Sequence, residues 1–339
     1  MRVIRLLVLC LSLFSLPTFA ETVGDLYQVR EPVASQQPEE RNQALQRALD
    51  TLVLRLTGDP AALKNPAVAE LRKDPQQLIS QYGYEGDALV VDFDPATSER
   101  SLRQAGLALW SANRPAILAW WLNETAGGAN LVGDGQDSAA PVRRAAQHRG
   151  LPLRLPLADL NEQIVGTADN LTAARPDALR EASDRYAADA LLAVRAREDG
   201  GKWQANWRLW LGDSLEQGSA EGADSAALAD VVMLAVSERL APRFVAAPGA
   251  ANDLTLEIHK SDLTRYAELE RLLEPFGARL KKVEGDRLVY QVRSSPEQLR
   301  AQLALSGLQE VQAANAPVDA GQPVAPMQQP AAQVLRFSW

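Results

Sequence analysis

"ADALLAVRAREDGGKWQANWRLW", Ala188–Trp210, is the stretch whose reading decides the fold. Its first part is apolar and then alternating, as in a strand buried at one end. Asp199-Gly200-Gly201 follows, a turn in which glycines take positive φ without the steric cost of a side chain. The second part alternates again. Trp203, Ala205, Trp207, Leu209 and Leu211 share one face by the period of two, and Gln204, Asn206, Arg208 and Trp210 share the other. The whole reads as a β-hairpin. The Trp203 face is apolar enough to be core. Trp210, alone among polar neighbours, is a candidate for surface contact, because an aromatic with a polar handle suits an interface.

Outward from the hairpin, "PAILAWWLNE" (115–124) is apolar on both faces and predicts a central strand covered by helices on both sides. Residues 138–150 predict a helix, 151–156 a short strand, 174–187 a helix, and 225–240 another. These make a middle α/β domain, 113–247. The N-terminal α/β domain, 21–112, is anchored by "PEERNQALQRALDTLVLRLTGDP" (38–60). There Leu45, Ala48, Leu49, Leu52 and Leu56 fall on one helical face, and Gly58 and Pro60 stop the helix. "DALVVDFDP" (87–95) predicts a strand, and a helix capped at Thr97 or Ser98 follows.

Residues 252–312 spell β-α-β-β-α-β, the order of a ferredoxin-like domain. A capping box, Ser295 with Gln298, opens the second of its helices. The fold class expected is therefore mixed α/β and α+β. The tail, 313–339, is rich in Ala, Pro and Gln to Pro330 and is expected to be a flexible linker. It ends in "QVLRFSW", where Leu335, Phe337 and Trp339 alternate as in a strand. Such a strand either covers a sheet edge of its own chain or adds to a partner's sheet, with Phe337 and Trp339 as contact residues.

The first twenty residues read as an export signal. Arg2 and Arg5 precede the apolar "LLVLCLSLFSL", and "PTFA" offers small residues for cleavage before Glu21. The expectation is a periplasmic protein, not integral to the membrane once cleaved. Cys10 is the only cysteine and lies inside the signal, with Leu9 before it, so neither lipid attachment nor disulfides are expected. Loss of Arg2 and Arg5 takes the formal charge from -8 to -10, which argues against nucleic acid or an anionic membrane as partner. With 46% hydrophobic and 23% charged residues, the composition is that of a folded globular protein.

Chemistry leaves few traces. The two histidines, His148 and His259, have no metal-ligand spacing, and no G-x-S-x-G elbow occurs. Asp92 and Asp94 leave one face of a strand end, a carboxylate pair in principle and solvated turn residues by the commoner reading. No cofactor, metal or catalytic residue is expected. In the ferredoxin-like unit the face opposite Leu254, Leu256 and Ile258 carries Thr255, Glu257, His259, Gln291 and Arg293, a candidate polar binding face.

"LYQVREPVASQQPEERNQALQRALDTLVLRLTG", "YGYEGDALVVDFD", "RPAILAWWLNE" and "RYAADALLAVRAREDGGKWQANWRLW" together resemble a family of exported proteobacterial proteins, domain of unknown function number two thousand and sixty-six. That resemblance implies export and supplies no activity or site residue. The last of these blocks also looks like the helix–strand–hairpin of amino-terminal domains in envelope translocation proteins, which bind proteins. The C-terminal unit is similar in topology to the sporulation-related repeat domain, which binds peptidoglycan, although "VRSSP" stands where that family has a Gly-Pro-Phe-like turn. The function expected is a soluble, non-catalytic, protein-binding accessory module of the cell envelope. Alternatives are a peptidoglycan or peptide binder using the C-terminal sheet, and a hydrolase with a carboxylate site at Asp92 and Asp94.

Overall fold

The computed structural model describes residues 21–22, 25–245, 252–311 and 334–339. The export signal and the Ala/Pro/Gln-rich stretch expected from the sequence lie outside them.

The N-terminal unit comprises β1 (Glu21–Thr22), β2 (Gln28–Pro32), α1 (Pro38–Thr57), α2 (Pro66–Lys73), β3 (Ile79–Glu85), β4 (Ala88–Phe93) and α3 (Pro95–Gln104). β4 lies between β2 and β3 in an antiparallel sheet. α1 begins on Pro38 with Glu39 and Glu40 in the first turn, where carboxylates complement the helix dipole. Its Leu45, Leu49, Leu52 and Leu56 bury against Val29, Leu89, Val91 and Phe93. Gly58 ends it at φ 64, and a Cβ there would meet Ala241 Cβ at 2.2 Å, so glycine serves both the turn and a helix contact. α3 starts before Thr97: Pro95 occupies its first turn, and Asp94 accepts the Thr97 N–H.

The middle unit runs β5 (Asn113–Arg114), β6 (Ile117–Thr125), β7 (Gly128–Leu131), α4 (Ala139–His148), β8 (Leu153–Arg154), α5 (Leu160–Val165), α6 (Ala168–Thr172), α7 (Asp177–Ser183), β9 (Ala190–Asp199), β10 (Lys202–Leu211), β11 (Ser214–Gly222) and α8 (Ser225–Phe244). The sheet order is β11-β10-β9-β6-β7, with β8 beside β6. β6 is parallel to β8 and β9, and its other neighbour, β7, is antiparallel. The face with Trp121, Leu192, Val194, Trp207 and Leu209 packs with α4 and α8. Gly218 of β11 is needed there, because a Cβ would come within 2.6 Å of the Trp207 ring.

The other face, with Trp120, Leu191 and Trp210, packs with Ala158, Leu171 and Leu179. Trp210 is therefore no surface aromatic. It is 4% exposed, because the segment carrying α5 to α7 covers the face on which the hairpin's polar residues begin. Trp203, assigned to the core face, is half-buried.

The C-terminal unit contains β12 (Asn252–His259), α9 (Leu263–Leu273), β13 (Arg279–Glu284), β14 (Arg287–Ser294), α10 (Pro296–Leu305), β15 (Gln309–Glu310) and β16 (Val334–Ser338). Its order is β13-β14-β12-β16-β15. A four-stranded ferredoxin-like sheet would place β15 directly beside β12. Here β16 enters between them, parallel to β12 and antiparallel to β15. The final strand thus fills an interior slot of its own sheet. Leu335 and Phe337 join the core beneath α9 and α10, and Phe337 is 2% exposed, which removes it as a contact residue.

The units share side chains. Leu305 of α10 lies in the middle unit's core, Gln302 and Asn113 exchange hydrogen bonds of 2.8 and 3.2 Å, and Gln298 Nε2 donates to the Phe244 carbonyl at 3.0 Å.

Candidate functional site

Two buried arginines hold the N-terminal unit to the middle one. Arg114 is fully buried and donates to the carbonyls of Ser111, Arg149, Gly150, Arg55 and Trp110, over 2.6 to 3.3 Å. Its guanidinium also lies 4.3 Å from the centre of the Trp110 ring. Arg55 Nη1 donates to the carbonyls of Asp25, Leu26 and Gln28, and its Nε to that of His148 at 3.4 Å. Burial lowers both pKa values, Arg55 to about 10 and Arg114 to about 9, and like charge adds to it: Arg149 acts on Arg55, and Arg55 on Arg114. Carbonyl oxygens meet all three side-chain nitrogens of Arg114 and two of the three of Arg55, without neutralising either charge.

Above this seam lies a groove of about 700 Å³. Its N-terminal wall includes Asp25, Gln28, Arg30 and Asp87, and its middle-unit wall includes Arg144, Gln147, His148 and Leu151, with Arg55 at the junction. His148 Nε2 is 3.3 Å from the Arg30 carbonyl and 3.6 Å from Glu31 Oε1. The tautomer protonated on Nε2 donates to that carbonyl. Burial pushes its pKa below the ordinary value, and Glu31 only partly opposes this. Glu31 accepts from the Thr51 hydroxyl at 2.8 Å. The arrangement suits the binding of charged groups.

A second feature stands on the segment that covers Trp210. Leu157, Leu160 and Ile164 are 62%, 74% and 67% exposed, an apolar ridge on and beside α5. α5 is fixed by a capping box between Asp159 and Glu162, and Arg185 bonds both carboxylates while Tyr186 donates to Glu162 at 2.5 Å. The adjoining hollow of about 310 Å³ is lined by Asn161, Glu181 and Asp184 as well as that pair. Among the described residues Glu181 and Asp184 have no cationic partner. The sequence reading left 157–173 unassigned. The D-x-x-E box in "ADLNEQIVG" was the signal that could have found α5.

Thr255, Glu257, His259, Gln291 and Arg293 do share one face, and Thr255 is directly opposite Gln291. Gln291 and Arg293 are exposed, and Thr255 and His259 are half-buried. Glu257 is engaged rather than free. Arg287 and Arg336 meet it at 2.8 and 3.0 Å. Burial acts to raise its pKa, and the two guanidinium bonds outweigh it and hold the carboxyl below its ordinary value. Trp339 is half-buried, with the Arg265 guanidinium 5.3 Å from its ring centre. Asp92 and Asp94 are not a pair. Asp92 accepts from Gln28 and Gln81 at 2.8 Å, while Asp94 caps α3. Among the described residues, no helix is long and apolar enough to cross a membrane, and no cluster of three metal-ligating side chains occurs.

Residues 20–111 match the model of a family described as a domain of unknown function, DUF8605. That match corrects the resemblance drawn from the sequence: the family is a different one, and it covers the N-terminal unit alone. No curated protein and no solved structure matches the chain.

Proposed function

We propose that this chain is an exported, non-catalytic accessory protein of the cell envelope that acts by binding another protein. The observation that carries the reading is the ridge of Leu157, Leu160 and Ile164. Three large apolar side chains grouped in the open mark an interaction surface far better than scattered ones do. Glu181 and Asp184 beside them, without a cationic partner among the described residues, favour a partner segment that is both apolar and basic. Export rests on the sequence of residues 1–20.

A photo-crosslinking amino acid at Leu160, in cells, is expected to give one discrete adduct with an envelope protein. Ile164→Asp and the double reversal Glu181→Lys, Asp184→Lys should each abolish it. A folded protein that gives no adduct, or an adduct indifferent to both changes, overturns the reading.

A peptidoglycan or peptide binder is the second reading, favoured by Thr255, His259, Gln291 and Arg293 sharing an open sheet face. Cosedimentation with purified peptidoglycan, lost in Arg293→Ala, would support it.

A further inference from the structure

The groove between the N-terminal and middle units carries charge that the fold does not consume. Arg55 is 4% exposed, and three carbonyls crowd its Nη1 while a fourth meets its Nε. Among the described residues, its Nη2 has no acceptor. Arg149, beside His148, likewise buries its Nε without a partner. Arg114 and Arg149 stand behind the groove wall and add positive field, while Arg55 is the buried guanidinium that lines it. Glu31 and Asp25 act on Arg55 through space only, and Glu31 is already bound to Thr51 and lies 3.6 Å from Arg47. With Nε and Nη1 of Arg55 taken by carbonyls, Nη2 is the donor left to the groove, and an anionic group is its natural complement.

A simple anion does not fit the rest of the lining. Asp25 and Asp87 also face the groove, and among the described residues neither carboxylate makes a close ion pair, although Asp25 is near enough to act on Arg55. They would repel a phosphate or sulfate and attract an ammonium group. Pro32, Ala88, Leu151 and Pro152 supply apolar wall. The volume, about 700 Å³, lies in the range of small-ligand sites. The site therefore asks for opposite charges on one small, partly apolar molecule.

We propose that this groove binds a short zwitterionic peptide, its carboxylate received by Arg55 and its ammonium group by Asp87 and Asp25. Arg144 also lines the groove, with its charge paired to Asp230 at 2.8 Å. The inference is independent of the ridge on α5 and can fail without it.

Calorimetric titration of the full mature chain with trialanine tests it, against N-acetyl-trialanine, trialanine amide and inorganic phosphate. Saturable binding of trialanine is expected, weakened about tenfold or more by blocking either end, with no competition by phosphate. Gln147→Glu, which adds a negative charge to the wall, and Asp87→Asn should each weaken it by about the same factor with the unfolding midpoint unchanged. Both side chains are at the surface, so Arg55 need not be disturbed. No binding of trialanine, equal binding of the blocked peptides, or displacement by phosphate overturns the proposal. Loss of peptide binding in Gln147→Glu should leave the Leu160 crosslink intact, which separates this site from the protein-binding reading.

Discussion

Arg55 and Arg114 show what a residue's identity leaves unsaid. Arg55 stands one position before Leu56 in the last turn of α1, where a cation suits the helix dipole and solvent. Three-dimensional packing instead buries it under residues 25–28 and 148, far away in the sequence. His148 reads the same way, a basic residue at a helix end, yet it is half-buried and its pKa is depressed. The groups that act on it are Glu31, Arg149, Asp230 and the Arg30 carbonyl. Because the folded pKa lies below the unfolded one, the unfolded chain binds the proton first as pH falls. Stability from this group is present above about pH 6.5 and is lost on acidification through the folded value. Urea unfolding from pH 8 to pH 5 should show falling stability, and His148→Asn should flatten that decline. An unchanged slope would mean that the imidazole is not held neutral by the fold.

Elements with a strong local pattern were legible. α1, the β9–β10 hairpin and the double-faced β6 follow from periodicity and turn chemistry. α5 and α6 were not, because they are only six and five residues long and show no amphipathic period. That omission also misplaced Trp210: half the hairpin's second face looks solvated, and only the tertiary cover shows otherwise. The last strand was readable as a strand, and its position was not. Alternation gives Leu335 and Phe337 one face, but nothing local says that β16 enters between β12 and β15 rather than lying at an edge. An interior strand has a testable consequence. Phe337→Ala should cost about 3–5 kcal/mol in denaturant unfolding, as for a buried phenylalanine, while Val334→Ala at the exposed end should stay within about 0.5 kcal/mol. Equal, small effects would show that β16 does not pack into the core.

At the scale of the molecule, the stretches that look like linkers suggest separate domains, and the contacts between units point to one cooperative body. The relevant pairs are remote: Asn113 and Gln302 are 189 positions apart, and Leu305 enters a core otherwise built from residues 110–244. No window of sequence can reveal such pairs, since each residue looks like an ordinary member of its own helix or strand. Glycines at the seam carry a trace of it. Gly58 against Ala241, and Gly150 against Arg55 and Arg114, leave no room for a side chain, though in the sequence they look like helix stops. If the seams couple the units, calorimetry should show one transition whose van't Hoff and calorimetric enthalpies agree. Leu305→Ala removes a buried side chain from the seam between the C-terminal and middle units and should cost about 2–5 kcal/mol. Coupling predicts that this loss lowers the single transition. Two transitions in the unaltered chain would instead mean that α10 rests on the middle unit without joining its core energetically, and the Arg55 groove would then be the only cooperative seam to test.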